Sequence, residues 1–283
     1  MFILKIENTK GDILRLSQNE SNYQVIGVEG LTPPESEIYT AEIAGLDGAK
    51  YKSSRLEMRN IVVTVKINGD IEANRLALYK VFKIKQYCKI YYTTESRAVY
   101  AEGYVETMES DFFSNAQQMQ ISIVCPFPYF KSASEIVNDI SKRIALFEFP
   151  FSIDENGIEF STLDENRIAS VIYSGDVESG CTFKLVAEGT IVNPSILNVD
   201  TGERLTLDMT LEDGDIVLIN TNKGSKSVKL IQQIFESNIV KYLTPDSKWL
   251  TLEIGENRFF YDAESGENEL YLYVIMNTLY EGV

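Results

Sequence analysis

The chain has 283 residues, long enough for two domains with full cores, and it carries 26 Lys+Arg against 42 Asp+Glu for a formal charge of −16. That acidity excludes a dedicated binder of phosphate backbones, and the absence of histidine excludes every nucleophile–base pair built on imidazole. The charge is uneven: residues 1–130 hold 14 basic and 16 acidic side chains, net −2, while the remaining 153 hold 12 and 26, net −14. Such a step predicts a domain boundary near residue 130.

Residues 1–16 and 23–28 predict short strands around the turn Lys10-Gly-Asp, and Pro33-Pro34 ends that region because proline lacks an amide donor. Residues 38–44 predict a strand and 46–50 a polar turn. Residues 55–67 read as one long strand with a change of phase at Arg59-Asn60 that suits a bulge. In residues 71–85 the period changes to helical. Ala73, Ala77, Val81 and Ile84 form one seam, and Leu78 with Phe82 a second, as in a helix wedged between two surfaces. Lys80, Lys83, Lys85 and Lys89 cluster there, and two readings stand: a solvated basic face or a subunit contact. Strands resume at 88–93, 97–108 and 117–125, and Cys125-Pro-Phe-Pro-Tyr-Phe closes the first domain, placed at 1–130.

Residues 131–146 repeat Ile136, Val137, Ile140 and Ile144 at helical spacing and predict a helical connector. The second domain, 147–283, opens on alternating aromatics in Phe147-Glu-Phe-Pro-Phe. Strands follow at 158–161, 167–173, 181–187 and 191–199, the last interrupted by Asn193-Pro194. Leu205, Leu207, Met209 and Leu211 alternate with polar residues, Asp213-Gly214 turns the chain, and Asn222-Lys-Gly and Gly255-Glu-Asn mark further turns. The last strand covers 269–279. Short strands joined by Gly, Asn and Asp turns indicate a mainly β chain whose second domain is an antiparallel β-sandwich.

Chemistry is sparse. Cys88, Cys125 and Cys181 are odd in number and widely spaced, which predicts buried free thiols, with no disulfide framework and no metal or other cofactor. No phosphate-binding glycine pattern occurs, and Asp213-Gly-Asp and Asp154-Glu-Asn-Gly read as ordinary turns. The first seven residues are too short and charged for a signal peptide, and no run is long and apolar enough for a membrane helix. A soluble protein that bypasses the secretory route and inserts in no membrane is expected. Alternation over 247–254 predicts a strand with Leu250, Leu252 and Ile254 on its buried face and Trp249, the single tryptophan, on the other. Either it packs under a neighbouring loop, or it is exposed and contacts a sugar or a protein partner.

An ordered set of short motifs then carries a resemblance. They are Gly27-Val-Glu-Gly-Leu-Thr-Pro-Pro, Ser54-Arg-Leu-Glu-Met-Arg-Asn-Ile, Asn74-Arg-Leu-Ala-Leu-Tyr-Lys-Val-Phe, residues 97–105 and Cys125-Pro-Phe-Pro-Tyr-Phe in the first domain. In the second they are Phe147-Glu-Phe-Pro-Phe, Tyr173-Ser-Gly-Asp-Val-Glu-Ser-Gly, Asn193-Pro-Ser-Ile, Leu211-Glu-Asp-Gly-Asp, Ser247-Lys-Trp-Leu, Gly255-Glu-Asn and Leu279-Tyr-Glu-Gly-Val. With these the chain resembles the distal tail proteins of bacteriophages of Gram-positive hosts, the siphovirus tail component family.

The resemblance implies an N-terminal β-rich domain with one helix that forms a homo-hexameric ring, and a C-terminal galectin-like β-sandwich. It implies a place at the tail tip or baseplate of the virion, after synthesis in the bacterial cytoplasm. There the ring would join the tail tube protein to the tail-associated hub protein, with a receptor-binding protein as a further partner. No catalytic residues follow from it, so a structural protein and not an enzyme is expected. Ala73, Ala77, Leu78, Val81 and Phe82 are the candidate oligomer-interface residues, and Trp249 the candidate partner or sugar contact. Two other classes stay open: an adhesin that touches the cell wall through the C-terminal sandwich, and a cell-wall hydrolase. Against the adhesin, galectin-type sugar sites rely on histidine, which is absent.

Overall fold

The computed structural model describes residues 2–19, 22–45, 47–114, 117–139, 143–145, 161–163 and 168–283. It separates into two compact units, Met1–Ala133 with Leu279–Val283, and Ser134–Thr278.

Unit 1 contains β1 (Ile3–Asn8), β2 (Ile13–Ser17), β3 (Tyr23–Glu29), β4 (Ser36–Glu42), β5 (Ala49–Leu56), β6 (Arg59–Ile67), α1 (Ile71–Val81), β7 (Tyr87–Thr93), β8 (Ala98–Ser110), β9 (Gln118–Cys125) and β10 (Phe130–Ser132). The order β8-β7-β1-β2-β3-β6-β9 returns to β8 through a β8–β9 pairing, so these seven strands close on themselves as a barrel, with β10 added beside β8. Alternation drives the closure. Ile61, Val63 and Val65 of β6 stand opposite Ile123, Ile121 and Met119 of β9, and all six point into the core. β8 bends through a bulge between Val105 and Thr107, which lets it pair with β9 beyond Gly103 and with β10 at Val99 and Tyr100.

Helix α1 starts where Asp70 caps it by accepting from the Ala73 amide at 3.1 Å. It ends at Val81, one turn earlier than the periodicity predicts, because Phe82 leaves the helix in an extended conformation and enters the core, and Lys85 then turns at φ 69°. The long strand expected over 55–67 is two strands. Glu57 donates its amide to the Glu35 carbonyl at 2.9 Å, which ties off the β4–β5 hairpin before β6 begins.

Unit 2 contains β11 (Ile136–Asp139), β12 (Arg143–Ala145), β13 (Ser161–Leu163), β14 (Ile168–Tyr173), β15 (Thr182–Ala187), β16 (Ile191–Val192), β17 (Ser195–Asn198), β18 (Arg204–Thr206), β19 (Thr210–Leu211), β20 (Ile216–Asn220), β21 (Ser227–Gln232), β22 (Phe235–Asn238), β23 (Gly255–Asp262) and β24 (Leu270–Met276). One antiparallel sheet runs β11-β24-β15-β20-β21-β22 and another β14-β23-β17-β18. Their inner faces share one core, where Phe183 of β15 meets Phe259 of β23 edge to face at 5.1 Å. This is the antiparallel sandwich that the turn spacing predicts.

Three expectations are corrected here. The helical connector over 131–146 has no helix among its described residues and forms strands at Phe130–Ser132, Ile136–Asp139 and Arg143–Ala145. β11 pairs with β24 from Ile136↔Met276 to Asp139↔Tyr273, so β-branched residues at an open sheet edge take the ladder despite their helical spacing. Ile140 and the aromatic run 147–151 lie outside the described residues. The final strand is broken: β24 stops at Met276, and β25 (Leu279–Tyr280) pairs with β10 in unit 1, so residues 279–283 belong to the first unit and not to the sandwich. Residues 247–254 are not a regular strand either. Glu253 and Asn257 close a turn by exchanging two 2.8 Å hydrogen bonds, and Ile254, expected inside, is 62% exposed.

Candidate functional site

The described residues offer little for catalysis. The three thiols are buried, and burial pushes each up to about 12, well away from a nucleophilic thiolate at neutral pH. Among the described residues no group of three or more His, Cys, Asp or Glu side chains is placed to hold a metal ion. Asp215 is buried and committed to its own turn, accepting from the Glu212 amide at 3.0 Å and from Gln232 Nε2 at 2.9 Å. Asp154-Glu-Asn-Gly lies outside the described residues. No helix of the described residues is long and apolar enough to cross a membrane.

The helix candidates divide. Leu78 and Phe82 are buried in the barrel core of their own unit, so neither is available to a partner, a correction to their expected role. Their seam packs into the core that the barrel strands share. On the rest of the helix Ala73 is exposed, Ala77 and Val81 are half-buried, and Leu76, which lies outside both predicted seams, is 50% exposed. Trp249 is half-buried against the sandwich core, with Lys226 Nζ 5.3 Å from its ring centroid. Leu250 and Leu252 beside it are fully buried.

Sequence patterning gave no hint of the role of Arg59. It starts β6 where the sequence shows only a change of phase, yet it is buried. Its Nε donates to the Pro128 carbonyl at 2.8 Å and its Nη1 to the Thr32 carbonyl at 2.7 Å. The guanidinium also donates to the carbonyls of Gly30 and Glu281 and lies 4.2 Å from the Phe130 ring centroid. Burial pushes the guanidinium below its ordinary value, and the planar five-donor fork is what lets one side chain serve so many carbonyls. Gly30 is required at this junction: its φ is +80°, and a Cβ there would overlap the Asn60 carbonyl. The C-terminal segment is held a second time by Arg97, which donates to the Gly282 carbonyl at 2.8 Å over the Tyr280 ring, and by the Val283 amide donating to Leu31 at 3.1 Å. Four separated motifs, at 27–34, 54–61, 125–130 and 279–283, thus meet around one cation.

The hairpin β4–β5 shows the opposite character. Almost all of it is exposed, including Ile38 and Tyr51, both at 60%. Arg55 pairs with Glu37 at 2.7 Å across the two strands.

Family comparison covers both units. The model described as the phage tail protein RIFT-related domain matches residues 16–125, and that of the siphovirus-type tail component, C-terminal domain, matches residues 174–272. The chain belongs to the siphovirus distal tail protein family. As a member it is a structural component of a phage tail. Solved structures agree in fold. The SPP1 Dit protein, described as a paradigm of the hub adsorption apparatus in phages infecting Gram-positive bacteria, is 13% identical with a TM-score of 0.69, over 98% of this chain and 99% of that one. Chains of the phage p2 baseplate in its activated conformation are 12% identical. The strontium form has a TM-score of 0.55 over 98% of both chains, and the calcium form 0.54 over 97% of this chain and 98% of that one. Among curated proteins none matches.

Proposed function

We propose that this distal tail protein forms a homo-hexameric ring at the tail tip or baseplate, joining the tail tube protein to the tail-associated hub protein. Unit 1 is the ring-forming part, and unit 2 faces outward, where a receptor-binding protein docks. The observation that carries this reading is the pair of family models, matched in order, one in each unit. The charge division supports it: a near-neutral first part packs against copies of itself with little repulsion, and the −14 remainder is better kept solvated. The partly exposed helix residues Ala73, Ala77 and Val81 remain candidates for the contact between copies. The role is structural and not enzymatic, in a protein made in the bacterial cytoplasm before assembly. The adhesin reading gains no support from Trp249, whose ring is half-buried and lies beside Lys226.

Light scattering on the purified full chain over a range of concentrations tests the reading. A hexamer mass is expected as concentration rises; a single copy at every concentration would overturn it.

A further inference from the structure

The hairpin β4–β5 is a sheet of two strands only. Among the described residues neither outer edge is paired, so alternate residues of the seven-residue β4 and the eight-residue β5 leave outward backbone N–H and C=O groups without a ladder. Soluble proteins cover or blunt such edges because they template pairing with another chain. Here the edges are long, and Ile38, Tyr39 and Tyr51 add exposed apolar surface beside them.

The charges of the two strands are segregated. β4 carries Glu37 and Glu42 and no cation; β5 carries Lys50, Lys52 and Arg55 and no anion. A partner strand for β5 should therefore be acidic, and a partner for β4 basic, and the two strands of this hairpin meet both descriptions.

We propose that hairpins of neighbouring copies pair edge to edge, β5 of one against β4 of the next in the antiparallel sense. This rests on the ring reading above. A hairpin has one strand up and one down, so copies related by rotation about an axis bring β5 beside the next β4 with the antiparallel polarity that the hairpin already uses. The contact is heterologous: each copy uses each edge once, and a rotation that closes gives a ring. In the register that repeats the hairpin's own, Arg55 sits between Glu37 of its own chain and the same glutamate of the next copy. The two-fold alternatives are penalised, since β4 on β4 opposes glutamates and β5 on β5 opposes cations.

The test uses two sets of substitutions in the full chain. Lys50→Glu, Lys52→Glu and Arg55→Glu make both strands acidic; Glu37→Lys and Glu42→Lys make both basic. All five side chains lie on the exposed hairpin, so global thermal melting of each variant should change little. Each single set does oppose like charges at positions 37 and 55 within the hairpin, an opposition that the mixture of the two chains leaves in place. By light scattering in low salt, either set alone should reduce the assembly to single copies. Combining the sets in one chain only exchanges the edges and should restore assembly, and an equal mixture of the two singly altered chains should assemble although neither does alone. If the unaltered chain forms rings and both sets form the same rings, or the combined chain stays dispersed, the edge pairing is wrong while the ring reading stands. If the unaltered chain is a single copy at every concentration, the ring reading fails and takes the edge pairing with it.

Discussion

Arg59 donates a hydrogen bond to the backbone carbonyl of Glu281, 222 residues further along the chain. The start of β6 in the barrel wall and the last residues of the chain are thereby held at one point. All the acceptors of this buried cation are main-chain carbonyls, so its contribution depends on the backbone path of three loops and not on a single acidic partner. Replacing it by Met keeps much of the volume and removes every donor. Buried acceptors left without partners cost roughly 1–3 kcal/mol each before relaxation, so Arg59→Met should destabilise unit 1 by on the order of 3–5 kcal/mol. Denaturant unfolding followed by far-ultraviolet circular dichroism measures this. A loss within about 0.5 kcal/mol, the range of an ordinary surface site, would show that the carbonyls are satisfied without the arginine.

Removing residues 279–283 should injure the same unit from the other side. The deletion takes away β25 and the packing of Tyr280 and Val283 against the barrel core. Trp249, the single tryptophan, belongs to unit 2. The truncated chain should therefore lose stability by circular dichroism while its tryptophan fluorescence transition stays in place. A fluorescence transition that shifts by the same amount would show that the two units unfold as one.

How legible this was depends on the range of the interaction that decides each element. The strands of the barrel wall were readable because β6 and β9 alternate cleanly, and the start of α1 because Asp70 is a capping residue next to an apolar repeat. The sandwich was readable from turns such as Gly214 and Gly224, both at positive φ. What was not readable depended on distant partners. Ile136 and Val137 fit a helix by spacing, and only the free edge of β24 makes them a strand. Nothing local in Leu279-Tyr-Glu-Gly-Val shows that it leaves the sandwich, and nothing local in Arg59 shows that four carbonyls converge on it. Leu78 and Phe82 do share a seam, but a helix pattern does not tell a face for its own core from a patch for a partner.

Trp249 should behave as a rim residue of the sandwich core. A fully buried aromatic truncated to Ala costs about 3–5 kcal/mol; half-burial puts Trp249→Ala nearer 2 kcal/mol. Thermal melting gives the value. A variant as stable as the parent, in a chain that binds host wall polysaccharide only when Trp249 is present, would instead make the ring a sugar platform.

The cysteines should be silent in the folded chain. With all three buried and pushed up to about 12, a thiol reagent at pH 8 should label none of them before unfolding and all three after. Rapid labelling of one thiol in the native protein would place that side chain outside the core assigned to it.

Glu102 gives unit 1 an acid-sensitive contact. Burial pushes its carboxyl upward, but hydrogen bonds from Lys131 Nζ and the Tyr87 hydroxyl, each 2.7 Å, together with nearby Lys89, outweigh burial and hold it below its ordinary range. The folded state thus favours the carboxylate. Its stabilisation is present above the ordinary glutamate range near ~4.3 and is lost as pH falls through the lower folded value. Melting temperature should decline more steeply with acid in the parent than in Glu102→Gln across that window, and parallel curves would contradict the contact's role.

The central claim, that this chain is a structural part of the distal end of a phage tail, is most directly tested by immunoelectron microscopy of particles carrying it, with antibodies against unit 2. Label confined to the tail tip at the end away from the capsid is the predicted result. Label along the tube or on the capsid, or particles that bind no antibody although the chain is detected in them after denaturation, would contradict it.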